Sequence, residues 1–265
     1  MTQKLGARST AASIIVAFGL LLAACSGSGV DQAATEDTSA APAATDCGDW
    51  GIAMHAWVGY TASANVVAEV AKKEFGCNIN LATLDEGATT YDAMEAGSVD
   101  VVIEDWGGGR WKDWVDRGAI VEVGPNGQEG LIGMYVPKWM ADEYPDILDS
   151  ANLNKYADLF KTPDSGGKGA WLEGPPGYTT IGEKMIEANK LNFKAISTGS
   201  EAALIEAMVD GQKNKKPVLA YWWTPFYANA LVETARINFP ANDWATPEEA
   251  SGLTDYPATP LMKLA

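Results

Sequence analysis

The run Val99-Asp100-Val101-Val102-Ile103 is the apolar stretch from which the fold of this chain can be worked out. Such a run is typical of a strand that is buried in a parallel sheet. Upstream of it, the pattern of apolar residues predicts a strand at 52–54, a helix that starts at Ser63 and ends before Gly76, a strand at 78–84 and a short helix at 90–96. Strands that alternate with helices in this way predict βαβ units and therefore an α/β fold.

The same alternation continues through the second half of the chain. Periodicity and turn residues predict strands at 131–136, 168–172 and 218–222, and helices at 139–144, 180–189 and 200–210. Two α/β halves suit a chain of 265 residues better than one large sheet. We expect one lobe to comprise residues 46–130 and 232–265, and the other to comprise residues 131–231. Residues 256–265 read as a strand that ought to continue, so more sequence is expected to follow Ala265.

The N-terminus has the features of a bacterial lipoprotein signal peptide. Lys4 and Arg8 precede an apolar stretch at 11–24 that is too short to span a bilayer comfortably. The residues Leu22-Ala23-Ala24-Cys25 look like a lipobox, in which the cysteine becomes the lipidated first residue of the mature protein. We therefore expect residues 1–24 to be the signal peptide and Cys25 to carry the membrane anchor. An uncleaved anchor or an ordinary cleavage site is the alternative.

The composition of the mature chain narrows its class further. Small and polar residues dominate 25–45, and such a stretch buries too little apolar surface to offset its ordering entropy, so it predicts a flexible tether. Without the signal peptide the chain has 17 basic residues against 35 acidic ones. This charge excludes nucleic acid and anionic membrane surfaces as partners.

Two cysteines remain in the part of the chain that is expected to fold. Cys47 precedes the first predicted strand and Cys77 precedes the second, so the two side chains could lie side by side. Outside the cytoplasm such a pair either forms a disulfide or stays as two thiols.

The residues needed for catalysis are missing from the sequence. His55 is the single histidine, which rules out a zinc motif with paired histidines, and no Gly-x-Ser-x-Gly nucleophile elbow is present. Paired carboxylates occur at 85–86 and 104–105, but without a companion nucleophile they are better explained as solvated or ion-paired groups. We expect a protein that is not an enzyme and that has no cofactor and no metal.

The most informative residues are tryptophans, of which the chain has ten beside only six phenylalanines. Several of them follow or end an apolar run and are next to a glycine- or proline-rich loop: Trp106, Trp171, Trp222 and Trp223. A large indole in that position is poorly placed to fill a core and well placed to line a cleft. Indole faces attract a cation that cannot be hydrogen-bonded, such as a quaternary ammonium group.

Three segments of the chain resemble the glycine betaine/proline betaine binding proteins of ABC importers. The segments are residues 96–106, 169–174 and 221–226, which occur in the family's order. The resemblance implies a two-lobed periplasmic-binding-protein-like fold of type II, in which each lobe is a mostly parallel sheet flanked by helices and a hinge joins the lobes. It also implies an extracytoplasmic receptor that binds a small quaternary ammonium ligand and delivers it to an ABC permease and, through the permease, to the ATPase subunit.

The resemblance assigns the walls of an aromatic cage. Trp106, Trp171 and Trp223 match the family's three cage residues. Trp222 is the rival of Trp223, because adjacent strand residues face opposite ways. Trp57 matches an aromatic residue that choline-binding relatives have after the first strand.

The resemblance leaves the anionic end of the ligand open. The family's betaine-binding members use a histidine four residues after the first cage tryptophan, and Arg110 stands there in this chain. Arg110 either holds a carboxylate in place of the histidine or is a solvated residue at a helix start. The backbone N–H groups of Leu172 and Glu173 would complete the carboxylate site.

Several ligands and functions therefore remain open besides glycine betaine. Choline, carnitine or an amino acid clamped by Arg110 are the alternatives within the receptor class. An envelope enzyme that acts on choline-type compounds, and an adhesion or signalling lipoprotein that has lost the cage, are alternatives from other classes.

Overall fold

The computed structural model describes residues 47–265. The predicted signal peptide, the predicted lipidation site Cys25 and the predicted tether at 25–45 lie outside these residues. Within the described part, no helix is both long enough and apolar enough to cross a membrane.

Helices and strands alternate along the described residues. In chain order the elements are β1 (Asp49–Met54), α1 (Val58–Phe75), β2 (Asn78–Thr83), α2 (Ala88–Glu95), β3 (Val102–Asp105), α3 (Lys112–Asp116), β4 (Glu122–Pro137), α4 (Lys138–Glu143), α5 (Leu153–Tyr156), β5 (Gly169–Glu173), α6 (Gly182–Ala188), β6 (Phe193–Ser197), α7 (Glu201–Lys213), β7 (Ala220–Thr224), β8 (Thr234–Arg236) and β9 (Ala258–Leu264), with short 3-10 turns between them.

The strands form two sheets. β1 and β2 pair in parallel, and an isolated parallel bridge from Ile52 to Val101 leads from this pair toward β3. The larger sheet has the strand order β3-β9-β4-β7-β5-β6, and β8 also pairs with β4. The long strand β4 runs through the middle of this sheet and connects its two halves.

The α/β class agrees with the prediction, but the direction of the strand pairs does not. The pairs β3–β9, β4–β7, β4–β8 and β4–β9 are antiparallel, whereas β1–β2, β5–β6 and β5–β7 are parallel. The prediction of mostly parallel sheets was wrong because β7, β8 and β9 all run back along β4. Apolar periodicity marks a strand but carries no information about which distant strand will be its neighbour.

Two hydrophobic clusters lie in the described residues. The larger surrounds β4, β5 and β7 and includes Met134, Trp171 and Trp222, and the smaller surrounds β1, α1 and β3 and includes Tyr60 and Val102. Two separate clusters are what a two-lobed protein requires, because each lobe needs its own hydrophobic core. The final segment contributes to both clusters, since residues 232–256 add side chains to the larger cluster and β9 adds side chains to the smaller one. The lobe boundaries at 130–131 and 231–232 stay a prediction.

Helix α1 differs from the prediction in its start. It begins at Val58 rather than Ser63 and ends at Gly76, whose φ of 70° makes it a left-handed cap. Its buried residues are Tyr60, Ala64 and Ala68, which recur every four residues, whereas the valines at 66, 67 and 70 are exposed. The small alanines let the helix approach the sheet closely, so the less apolar face is the inner one.

The starts of β1 and β2 are tied by a disulfide between Cys47 and Cys77, whose Cα atoms are 4.7 Å apart. Cys47 lies two residues before β1 and Cys77 directly before β2, and the two strands pair in register after the bond.

Candidate functional site

An aromatic pocket lies where the two hydrophobic clusters meet. Five aromatic residues line it: the four cage rings Trp57, Trp106, Tyr178 and Trp223, and also Tyr221. Its other lining residues are Glu86, Ile132 and Thr179. Trp106 and Tyr178 pack against both clusters. The space inside the pocket that is open to water is about 20 Å³, which is about enough for one water molecule.

The four rings come from different elements. Trp57 precedes α1, Trp106 follows β3, Tyr178 lies in the loop between β5 and α6, and Trp223 is on β7. The Tyr178 ring stands edge-on to Trp57 at 5.8 Å between centroids and edge-on to Trp223 at 5.7 Å. Phe226 stacks on Trp223 at 3.7 Å, so one face of that indole is already covered. The rings therefore form a preformed set of walls around a small space.

One carboxylate orients two of the tryptophans. The Oε1 atom of Glu104 accepts hydrogen bonds from Nε1 of Trp57 and Nε1 of Trp106, both at 2.8 Å. Glu104 is buried. Because one buried oxygen accepts both N–H groups, these two hydrogen bonds fix the orientation of both indoles.

Glu86 forms the polar wall of the pocket. Its carboxylate accepts a hydrogen bond from the backbone N–H of Trp106 at 2.8 Å and one from Oγ1 of Thr179 at 2.7 Å. Burial raises the pKa of Glu86 above its ordinary value, and the Glu104 charge raises it further, while the two hydrogen bonds and Arg110 oppose the rise. The pocket thus offers a ligand aromatic faces and a carboxyl group.

Arg110 lies beside the pocket, in a wider polar cleft that also contains Glu86 and Thr179. Its Nη1 atom donates to Oγ1 of Thr179 at 3.2 Å, and its Nη2 atom forms an ion pair with Glu248 at 2.9 Å. Since Thr179 in turn donates to Glu86, the guanidinium is linked to the pocket wall through Thr179. Its charge is already paired.

Sequence comparison connects this chain to a known class of proteins. Residues 51–254 match the OpuAC family, the substrate binding domain of ABC-type glycine betaine transport systems. The chain belongs to this family. Members of the family are solute-binding proteins that act outside the cytoplasm. The predicted family is confirmed.

A curated relative of this OpuAC chain is a trimethylamine N-oxide-binding protein of Pelagibacter ubique (strain HTCC1062). The two are 29% identical over 201 residues, which are 71% of this chain and 62% of the relative. The chain therefore spans less than two thirds of the length of the curated relative that it matches.

Solved structures share the fold of this OpuAC chain. A glycine betaine/L-proline-binding protein from Borrelia burgdorferi superposes with a TM-score of 0.64 at 17% identity, over 82% of this chain and 74% of the other. An ABC-transporter choline-binding protein in complex with choline gives a TM-score of 0.61 at 15% identity, over 83% and 72% of the two chains. At such identities the likeness is one of fold, and it confirms the predicted binding-protein-like architecture.

The structure brings together three of the predicted cage residues and leaves out a fourth. Trp57, Trp106 and Trp223 line the pocket. Trp171 does not: it is fully buried in the larger cluster, edge-on to Phe193 and Phe239, with Nε1 donating to Glu173. The reason is that its side chain lies on the face of β5 that points into the core, where the indole packs against Phe193 and Phe239.

The geometry also distinguishes Trp222 from Trp223, the two alternatives for the third cage wall. Trp223 lines the pocket, while Trp222 is fully buried on the opposite side of β7 and donates from Nε1 to Asn229. The alternation of side chains along a strand separates the two residues.

At the predicted carboxylate site, the Leu172 amide is already used by the protein itself. The backbone N–H of Leu172 donates to the carbonyl oxygen of Leu219 at 3.0 Å as part of the β5–β7 pairing. The Glu173 side chain lines the wider cleft, is buried, and has its pKa raised to about 7, chiefly by burial. The Leu172 amide is therefore not free for a ligand.

Sequence reasoning missed Tyr178, Glu86 and Glu104 as pocket residues. Tyr178 follows the run Gly174-Pro175-Pro176-Gly177, a loop that comes directly after the predicted second cage segment. The position of an aromatic residue directly after this proline-containing loop was the signal in the sequence that could have identified Tyr178. The two glutamates were read only as solvated members of carboxylate pairs.

Proposed function

We propose that this protein is the extracytoplasmic receptor of an ABC importer and that it captures a small trimethylammonium solute in the pocket formed by Trp57, Trp106, Tyr178 and Trp223. The observation that carries the proposal is the set of four aromatic rings closed around a small space with carboxylates behind them. A methylated ammonium group loses no hydrogen bonds when it is desolvated there, and each ring contributes about 0.5–2 kcal/mol. Together with charge pairing, such contributions approach the roughly 8 kcal/mol of a micromolar receptor.

Glu86, the polar wall of the pocket, determines which trimethylammonium solutes the pocket favours. Glu86 is the carboxyl group in the pocket, and Arg110 is paired with Glu248 and Thr179. An ionised Glu86 attracts a cation such as choline, and a protonated Glu86 can donate a hydrogen bond to the oxygen of trimethylamine N-oxide. Glycine betaine would bring its own carboxylate toward Glu86, so we rank it behind the other two. The trimethylamine N-oxide-binding relative supports this order.

The remaining parts of the proposal concern anchoring and partners. We propose that Cys25 carries the lipid anchor, that the tether holds the receptor at the cell membrane, and that the ligand-bound protein delivers its solute to a permease and its ATPase. We also propose that the ligand is bound and released without chemical change. The amino-acid receptor is the weaker candidate, since the paired Arg110 is not free to clamp a carboxylate.

Titration calorimetry on the mature protein tests the proposal. Choline, trimethylamine N-oxide, glycine betaine, carnitine and L-proline are injected separately, and the ligand is recovered afterwards to check that it is unchanged. We expect micromolar binding of choline or trimethylamine N-oxide and weaker binding of glycine betaine. Tight binding of L-proline alone, or no heat with any of the five compounds, would overturn it.

A further inference from the structure

Glu201 connects parts of the protein that belong to different hydrophobic clusters. It is the first residue of α7, a helix whose Leu204 and Met208 pack in the larger cluster. Its side chain is 7% exposed although glutamate is ordinarily a surface residue. A carboxylate held in this way needs partners that compensate its desolvation.

The partners of Glu201 come from two other elements. Its Oε2 atom accepts a hydrogen bond from the hydroxyl of Tyr178 at 2.7 Å and one from the backbone N–H of Val58 at 3.0 Å. Val58 is the first residue of α1, whose Tyr60 and Ala64 pack in the smaller cluster. The carboxylate thus joins the larger cluster, the smaller cluster and one ring of the aromatic pocket.

The contact with Val58 gives α1 an N-terminal cap that its neighbouring residues do not provide. Trp57, the residue before the helix, makes no side-chain cap, and the first turn of α1 contains no acidic residue. The orphan N–H groups and the positive end of the helix dipole favour a carboxylate there. Helix α7 does not need Glu201 for its own start, because Ser200 caps it by accepting a hydrogen bond from Ala203 N–H at 3.2 Å.

The contact with Tyr178 orders the pocket. Tyr178 stands edge-on to both Trp57 and Trp223, so its ring occupies the space between two other walls. Burial and the Glu201 carboxylate raise the pKa of the Tyr178 hydroxyl, which keeps it protonated and donating. Trp57 is covalently next to Val58, so both groups that Glu201 holds are parts of the pocket wall.

We propose that Glu201 is a latch: by capping α1 from the opposite cluster and holding the Tyr178 hydroxyl, it keeps the lobes closed over the occupied pocket. The effect on ligand residence rests on the function proposed above, whereas the cap on α1 does not. Opening the lobes breaks the hydrogen bond from Val58, which lies in the other predicted lobe, while Tyr178 stays with Glu201 in the same lobe. The latch therefore slows ligand release more than it changes ligand entry.

The test compares Glu201→Ala and Glu201→Gln with Glu206→Gln, which removes an exposed charge from the same helix. Choline and trimethylamine N-oxide are the probes, and stopped-flow tryptophan fluorescence gives their association and dissociation rate constants. We expect Glu201→Ala to raise the dissociation rate constant about tenfold or more with a much smaller change in association. Glu201→Gln keeps one oxygen acceptor and should be intermediate, and Glu206→Gln should match the wild type.

A second measurement does not depend on any ligand. Amide hydrogen exchange at residues 58–61 of the ligand-free protein should become faster in Glu201→Ala and stay unchanged in Glu206→Gln. Tyr178→Phe should speed ligand release by itself and add little in the Glu201→Ala background, because both changes break the same link.

The outcomes separate the two proposals. If the wild type binds neither probe, the proposed function fails, and the exchange at 58–61 alone decides whether Glu201 caps α1. If the wild type binds a probe and Glu201→Ala leaves both the dissociation rate constant and the exchange at 58–61 unchanged, the latch is wrong and the proposed function stands.

Discussion

Carboxylates hold the polar edges of the aromatic rings at the site. Glu104 accepts hydrogen bonds from the indole N–H groups of Trp57 and Trp106, and Glu201 accepts one from the Tyr178 hydroxyl. Rings held in this way lose little conformational freedom when a ligand arrives.

The pH dependence of ligand binding is expected to follow Glu86. Burial raises the pKa of this carboxyl group, so it is neutral at low pH and becomes charged only above its raised pKa. A cation is attracted by the charged form alone. The affinity for choline should therefore increase with pH, about tenfold or more between about pH 4 and about pH 8, as measured by calorimetry.

The variant Glu86→Gln is the control for this prediction. Asp105 and Glu173 are also buried carboxyl groups, each with its pKa raised to about 7 by burial. Any slope that remains in Glu86→Gln belongs to groups such as these. An identical pH profile in the variant and the wild type would show that Glu86 does not face the ligand.

At the scale of elements, strand β4 makes room for the Trp106 ring of the pocket with a glycine, Gly130. A Cβ atom added to Gly130 would lie 2.3 Å from Cζ3 of Trp106 and 2.8 Å from Cδ2 of Leu261. The backbone of β4 thus passes directly under the Trp106 ring, and any side chain there would displace the ring. Glycine at this position is a requirement of the pocket rather than of the strand.

The substitution Gly130→Ala should weaken ligand binding about tenfold and lower the midpoint of thermal unfolding, because overpacking costs about 1–3 kcal/mol. Titration calorimetry and circular dichroism measure the two effects. Gly59→Ala is the matched control, since its added methyl group would meet only Cδ1 of Trp57, at 3.9 Å. Equal affinities for wild type and Gly130→Ala would mean that the Trp106 ring is not a wall of the site.

The sequence predicted the positions of helices and strands better than the contacts between them. Strand ends next to glycine and proline predicted that Trp106 and Trp223 line a cleft, and both line the aromatic pocket; that they bind a ligand stays a prediction. Trp171 instead packs in the core against Phe193 and Phe239, and the Leu172 amide is paired at β7. Both differences concern contacts between residues far apart in the chain, which local periodicity does not encode.

At the scale of the whole molecule, the pocket lies at the meeting of two hydrophobic clusters and draws its rings from both. Such a site is completed when two bodies close and is lost when they separate, as expected for hinge-bending receptors. The segment motifs predicted the family, and the match over residues 51–254 confirms it. Those motifs carry no information on where each lobe begins and ends. The final segment contributes side chains to both clusters.

The central claim is that the four rings at this junction bind a trimethylammonium group. Its most direct test is a calorimetric titration of choline and trimethylamine N-oxide into Trp106→Ala and Tyr178→Ala, with Trp50→Ala as control because Trp50 is 44% exposed and donates to the Cys47 carbonyl oxygen outside the pocket. We predict that both pocket variants lose at least about tenfold in affinity while Trp50→Ala binds like the wild type. Wild-type affinity in Trp106→Ala and Tyr178→Ala would contradict the claim.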